Sequence, residues 1–201
     1  MKLDRILNGA TIHLRGLSPE NDFHSYFEWF SDQDVMRFLE ARFNPPSSIG
    51  ELVNFVTSVN DSQNSIMAGI FLNSNQAHIG NIKIGSIDKN HATAHVGYLI
   101  GERTAWGKGF ASQAIQLMVG YAFSDLNLIK LTAGCSQGNE GSRKALINAG
   151  FTQEGFFASQ LTVDGQRRGV YQMGILNPSV QGGINENSRD CPSPYGLYSF
   201  T

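Results

Sequence analysis

The stretch GYLIGERTAWGKGFASQAI, Gly97 to Ile115, decides the fold. It reads as a strand, a short connector and then closely spaced glycines that open a helix, whose residues Ala111, Ala114, Ile115, Met118 and Ala122 share one face at helical spacing. A turn of this kind leaves several backbone N–H groups beside the positive end of a helix, and such groups bind phosphate oxygens without a formal cation. Glycine lets the backbone come close to the anion. The plainer reading of Gly107-Lys108-Gly109 is a tight strand-to-helix connection in which the glycines only relieve strain. Two familiar phosphate loops do not fit. A Walker loop needs Ser or Thr after the lysine, and Lys108 is followed by Gly109. The dinucleotide fingerprint needs a third glycine where Ser112 stands, and it follows a parallel rather than an antiparallel arrangement.

Working outward, Ser65 to Leu72, Ala77 to Ile84 and Thr93 to Ile100 read as strands separated by the turn-rich stretches Asn73-Ser74-Asn75 and Asp88-Lys89-Asn90, an antiparallel meander. Before them, Thr11 to Leu17 predicts a strand. Ser18-Pro19-Glu20 then predicts a helix start, with Phe23, Tyr26, Phe27 and Phe30 as its apolar stripe. A short helical piece follows Asp32 to about Leu39, and Pro45-Pro46 makes Glu40 to Pro46 a loop. Ser47 or Ser48 caps the next helix, with Leu52, Phe55, Val56 and Val59 facing inward. Downstream, a helix from about Gly109 to Phe123 leads to a strand from Leu128 to Cys135, then a helix from about Gly141 to Ala149 closed by Gly150. The last strands join through the hairpin turn Val163-Asp164-Gly165-Gln166. Strands and helices in this order predict a mixed α+β fold over residues 1–176, with no internal repeat, and a weakly ordered tail over 177–201.

The chain has 201 residues, enough for one core of ordinary size and too few for two domains of typical length. A formal net charge of -2 supplies no global basic field, which disfavours nucleic acid as a partner, so an anionic ligand must be held locally. No apolar stretch approaches the roughly 20 residues of a membrane span, and the first ten residues lack a secretory signal. With only Cys135 and Cys191, the default expectation is a reduced, cytoplasmic protein. The five histidines are scattered and no Cys or His pairs stand at ligand spacing, so no metal is implied.

The turn Trp106-Gly107-Lys108-Gly109-Phe110-Ala111 resembles the signature of the GNAT acetyltransferases: Gln or Arg, two residues, Gly, one residue, then Gly or Ala. Trp106 replaces the usual Gln or Arg, and Trp-Gly-Lys-Gly is similar to the RimJ/RimL-like branch. A second block, Asn139 to Ser142 and on through Leu146, Gly150 and Phe151, resembles the family's later motif. The resemblance implies the GNAT fold: a central, mostly antiparallel twisted sheet of about six or seven strands, flanked by about four helices and splayed between its fourth and fifth strands. It implies an N-acetyltransferase that moves the acetyl group of acetyl-CoA to a primary amine by direct attack on the thioester, with coenzyme A as product.

Carried over residue by residue, the resemblance assigns the pantetheine arm to the backbone around Tyr98, Leu99 and Ile100. It assigns the diphosphate to the turn at Trp106, Gly107, Lys108, Gly109, Phe110 and Ala111. Asn139 is the candidate for hydrogen-bonding the cofactor or ordering a water, and equally for capping the helix after it. Ser142 falls where the family protonates the leaving sulfur, although serine is a poor acid. Glu102 is a candidate base beside the expected gap, whereas Gln113, standing where many RimL-like sequences carry Glu, is neutral and cannot serve. Cys135 reads as a buried small residue more readily than as a nucleophile. The loop residues Glu40 and Arg42, with Lys83 and His95, are the candidates for contacting the acceptor, a small-molecule or peptide amine. An amino sugar or sugar nucleotide suits Arg42 and Lys83; a protein N-terminus, a polyamine, and a non-catalytic acyl-CoA sensor are the alternatives. A homodimer is compatible with the resemblance.

Overall fold

In the computed structural model, which describes residues 1–20 and 23–183, eight strands form one sheet. They are β1 (Leu7–Asn8), β2 (Ile12–Gly16), β3 (Ile66–Leu72), β4 (His78–Asp88), β5 (Thr93–Ile100), β6 (Lys130–Ser136), β7 (Thr152–Val163) and β8 (Gln166–Leu176), in the spatial order β1-β2-β3-β4-β5-β6-β8-β7. Five α-helices connect them: α1 (His24–Glu28), α2 (Gln33–Met36), α3 (Ile49–Asp61), α4 (Phe110–Ser124) and α5 (Glu140–Asn148). Every strand pairing is antiparallel except β5 with β6, where α4 provides the crossover that parallel strands require. That pairing is confined to Thr93–His95 opposite Lys130–Thr132. Beyond it β5 and β6 part, so the sheet is splayed at its one parallel junction.

Alternation along the strands gives the sheet two apolar faces. Ile82, Ile84, Ala94, Val96, Leu131 and Ala133 pack against Ala114, Ile115, Met118 and Ala122 of α4 and Leu146 of α5. Each fully buried aliphatic side chain there contributes about 1.5–3 kcal/mol relative to exposure. On the opposite face Leu17, Met67 and Phe71 meet Tyr26, Trp29, Leu52, Val56 and Val59 from the N-terminal helices. Trp29 lies so close to Gly101 that a Cβ there would stand 1.9 Å from the indole, which seats the N-terminal helices directly over the end of β5.

The fold departs from the sequence reading where local signals are weak. There are eight strands rather than six or seven because Leu7–Asn8 adds a two-residue edge opposite Leu14 and His13. The first helix starts at His24, not at Pro19: its cap position is Phe23, and the Ser18 hydroxyl donates to the Glu20 carboxylate. Counting α1 and α2 separately makes five helices rather than four. Glu40–Phe43 is a 3-10 turn rather than an irregular loop. Phe55 is 41% exposed and does not belong to the inward face of α3, whereas Leu52, Val56 and Val59 do. Ser48 caps α3 as expected, accepting from the Glu51 N–H at 3.3 Å. After β8 the chain continues as a 3-10 turn over Pro178–Gly183; the rest of the tail, 184–201, lies outside the described residues. No described helix is long and apolar enough to cross a membrane.

Candidate active site

The splay between β5 and β6 creates an open strand edge inside the sheet. The Gly101 N–H donates to the Ile79 carbonyl at 2.9 Å, which makes Gly80 and Ile100 a non-hydrogen-bonded pair. By alternation, Gly97 and Leu99 bond to β4, whereas the main-chain groups of Val96, Tyr98 and Ile100 point away from β4; those of Tyr98 and the Ile100 N–H face the gap, and the Ile100 carbonyl accepts from the Trp106 indole. An extended chain of amides laid in the gap finds partners there as an added strand would. Of the three strand residues expected to offer main-chain groups, Tyr98 and Ile100 do so; those of Leu99 are committed to Asn81.

At the end of this edge the glycine turn bends into α4. Gly107 has φ +73° and Gly109, the residue before α4, has φ +81°. The Trp106 indole Nε1 donates to the Ile100 carbonyl at 2.8 Å, tying the turn back to the last residue of β5. The first N–H of the region with an acceptor inside the helix is that of Gln113, which donates to the Gly109 carbonyl at 3.1 Å. From Gly107 to Ser112, no backbone N–H donates to any group among the described residues. Six successive donors therefore stand together at the positive end of a 15-residue helix. Gln113 itself is structural: its Oε1 accepts from the N–H groups of Thr11 at 3.1 Å and Ile12 at 3.0 Å, pinning β2 to α4.

Across the gap, Asn139 precedes α5 and its Oδ1 accepts from the Ser142 N–H at 3.1 Å, so the capping role is realised and the side-chain amide N–H groups remain free among the described residues. The Tyr98 side chain leaves β5 toward α5, and its hydroxyl lies 2.9 Å from the Ser142 carbonyl oxygen and 2.8 Å from Ser142 Oγ. Burial pushes the Tyr98 phenol well above its ordinary range, so it stays protonated. Cys135 sits beside Ser142 with its thiol donating to the Asn139 carbonyl at 3.4 Å; burial raises its pKa, which keeps it a thiol and a poor nucleophile.

The other candidates fall in separate places. The Glu102 carboxylate accepts from the Thr104 N–H at 3.0 Å and hydroxyl at 2.8 Å, capping the 3-10 turn Arg103–Ala105. With Lys108 and Phe110 it lines a cavity of about 820 Å³ beside the glycine turn, whose lining includes neither Asn139 nor Ser142. Lys83 and His95 lie on neighbouring registers of β4 and β5, with Lys83 Nζ 5.9 Å from the Phe55 ring centre and His95 Nδ1 3.3 Å from Thr132 Oγ1. Burial lowers the His95 pKa and favours the neutral imidazole.

Arg42 is mostly buried and donates to the Thr162 carbonyl at 2.9 Å, while Glu40 projects into solvent 3.6 Å from it. Arg37 pairs with Asp164 at 2.7 Å. These contacts hold the tip of the β7–β8 hairpin against the segment after α2, beside an open cleft of about 500 Å³ lined by Phe30, Asp34, Met36, Arg37, Arg42 and Asp164 among others. Arg37 and Asp164 escaped the sequence reading because 127 positions separate them and nothing local announces the contact. The Tyr98 hydroxyl was findable: Ala94, Val96, Tyr98 and Ile100 alternate, which puts Tyr98 on the helix-covered face. Among the described residues no three His, Cys, Asp or Glu groups stand close enough to hold a metal.

A family model described as an acetyltransferase (GNAT) domain matches residues 11–152. The uncharacterized N-acetyltransferase p20 of Bacillus licheniformis is 27% identical over 156 residues, covering 77% of this chain and 87% of that protein. A putative ribosomal N-acetyltransferase, YdaF of Bacillus subtilis, is 29% identical over 119 residues, 59% of this chain and 63% of that one. The solved structure of spermidine N-acetyltransferase from Vibrio cholerae in complex with CoA and spermine shares the fold, with a TM-score of 0.73 at 22% identity over 84% of this chain and 96% of that one.

Proposed function

The chain belongs to the GNAT acetyltransferase family, and on that premise we propose that it is a RimJ/RimL-like enzyme that acetylates the amine of an amino sugar or sugar nucleotide. Acetyl-CoA supplies a thioester carbonyl that an uncharged amine attacks. One observation carries the cofactor assignment: six successive N–H groups without acceptors, Gly107 to Ser112, lie at the head of α4 and adjoin the open edge of β5. The donors suit a diphosphate and the edge suits a pantetheine arm, with Tyr98 and the Ile100 N–H as its main-chain partners. The Asn139 side-chain amide, at the cap of α5, is assigned to the same arm.

The acceptor is assigned to the space beneath the β7–β8 hairpin, with Arg42 as part of its wall and Glu40 at its rim. Both carboxylates in the lining, Asp34 and Asp164, are matched by guanidiniums, Arg103 at 2.8 Å and Arg37 at 2.7 Å. That balance gives a polycation no surplus of negative charge and favours an acceptor that is neutral or carries phosphate. Lys83 and His95 approach the splay from the face of α3 and are assigned to guiding the amine; the neutral His95 imidazole accepts a proton from it. Glu102 is held as the cap of the 3-10 turn, and the base role is assigned to His95 instead. The domain is assigned to residues 1–176 and the enzyme to the cytoplasm.

The test is thiol release from acetyl-CoA with a panel of glucosamine 6-phosphate, a UDP-amino sugar, spermidine and a serine-initiated peptide. Turnover is expected with the sugars. Faster turnover with spermidine or the peptide overturns the acceptor assignment, and binding of CoA without turnover of any amine points to a sensor.

A further inference from the structure

The Tyr98 hydroxyl reaches from β5 to α5 and stands within hydrogen-bond distance of two oxygens of the same residue, the Ser142 carbonyl at 2.9 Å and Ser142 Oγ at 2.8 Å. Two protons serve these three oxygens. If Tyr98 donates to the carbonyl, Ser142 donates to Tyr98, and its proton is turned away from the gap. If Tyr98 donates to Oγ, the Ser142 proton is free to point elsewhere. The carbonyl does not need Tyr98, since residue 142 lies in the first turn of α5 and its carbonyl is placed to accept from the N–H four residues on. Rotation of two hydroxyls interconverts the two arrangements.

We propose that Tyr98 is a positioning residue that, by donating to Ser142 Oγ, turns the Ser142 hydroxyl into a hydrogen-bond donor to the leaving sulfur of the thioester. This rests on the reading of the gap as the acetyl-CoA site. In the step, the nitrogen–carbon bond forms, the carbon–sulfur bond breaks with its electron pair passing to sulfur, and the surplus proton on nitrogen passes to the His95 imidazole assigned above as its acceptor. Ser142 and Tyr98 keep the protons they began with; only the directions of the two O–H bonds change. A serine is too weak an acid to surrender its proton to a thiolate, but as an oriented donor it need not. The raised pKa of the buried phenol serves the same end by keeping Tyr98 a donor throughout. Cys135 does not compete for the Ser142 proton as an acceptor of comparable strength, because sulfur of a neutral thiol accepts weakly.

The test combines equilibrium and kinetics on the full chain. Ultraviolet thiolate absorbance of bound coenzyme A is titrated against pH, with the apoprotein trace subtracted to remove Cys135 and Cys191. Tyr98→Phe is expected to raise the pKa of the bound thiol by about half to one unit, matching loss of one hydrogen bond. Ser142→Ala is expected to raise it at least as much, and Tyr98→Phe added to Ser142→Ala is expected to change nothing further. In turnover of the best amine of the panel, Tyr98→Phe should lower kcat about five- to tenfold with KM for acetyl-CoA unchanged. Equal effects of Tyr98→Phe with and without the Ser142 hydroxyl, or a change confined to KM, overturn the proposal while leaving the cofactor site standing. Failure of the unaltered protein to bind coenzyme A overturns both. Should Tyr98→Phe not fold, the Ser142→Ala titration decides: an unchanged thiol pKa there refutes the donor role directly.

Discussion

At the scale of single residues, the glycine turn separates two reasons for using glycine. A Cβ built on Gly107 or Gly109 meets nothing within 4 Å, so neither is there to avoid a neighbour; both are there because φ is positive. The turn in which such a Cβ would stand is the one that carries the unpartnered N–H groups. Gly109→Ala is therefore expected to weaken coenzyme A binding at least tenfold, while the fold loses only the left-handed strain of about 1–2 kcal/mol. Gly120 is the control, equally open but inside α4. There Ala should gain about 0.5–1 kcal/mol and leave binding unchanged. Titration calorimetry and thermal unfolding of the two variants read both quantities, and an unaltered affinity in Gly109→Ala would remove the phosphates from this turn. Trp106 shows what the unusual first residue of the motif does: its indole holds the last carbonyl of β5, fixing the turn against the edge it serves.

At the scale of elements, the sequence was most readable where a signal is local. Gly150 at φ +97° closes α5, Asp164 and Gly165 at φ 50° and 72° make the hairpin turn, and Ser48 caps α3, each from its own side-chain or backbone chemistry. Legibility failed where a residue had a competing partner. Ser18, read as a helix start, donates its hydroxyl to Glu20 while α1 begins only at His24, and the two-residue β1 carries too short a pattern to register. Gln113 is the instructive case, since a neutral residue at a position suspected of catalysis proves to join two elements. Its Oε1 is the acceptor for two N–H groups at the start of β2. Gln113→Leu leaves both unsatisfied and should destabilise by about 1–3 kcal/mol, a fall of roughly 2–4 °C per kcal/mol in Tm for a chain of this size. Gln113→Glu keeps the oxygens and adds an acid near the positive end of α4, so its Tm should stay close to that of the parent. Equal stability of the Leu variant would mean that water replaces the side chain and that β2 is held by other contacts.

At the scale of the whole molecule, the candidate site is assembled from segments that no local pattern relates. The splay follows from one parallel junction in an otherwise antiparallel sheet, and its position was legible only through the resemblance carried by the turn and the Asn139 block. The contacts of the hairpin tip were not legible at all: the turn is evident in Asp164-Gly165, but nothing in it says that the tip will meet Arg37 or that Thr162 will meet Arg42. The Arg37–Asp164 pair is about half exposed on both sides, so water screens it and its worth to stability is about 0–1 kcal/mol. Its consequence should be geometric instead, since it sets where the hairpin sits over the space between α2 and β7. Asp164→Asn tolerates the positive φ and keeps the turn, yet removes the charge that Arg37 holds. Tm should shift by less than about 4 °C, and KM for acetyl-CoA should not move because the glycine turn to which the cofactor is assigned makes no contact with the Arg37–Asp164 pair. KM for the acceptor should rise several-fold. Arg37→Gln should reproduce the effect, and the double variant should be no worse than either alone, as expected when two substitutions break one contact. A rise in KM for acetyl-CoA of the same size would mean that the hairpin supports the splay itself rather than roofing the acceptor.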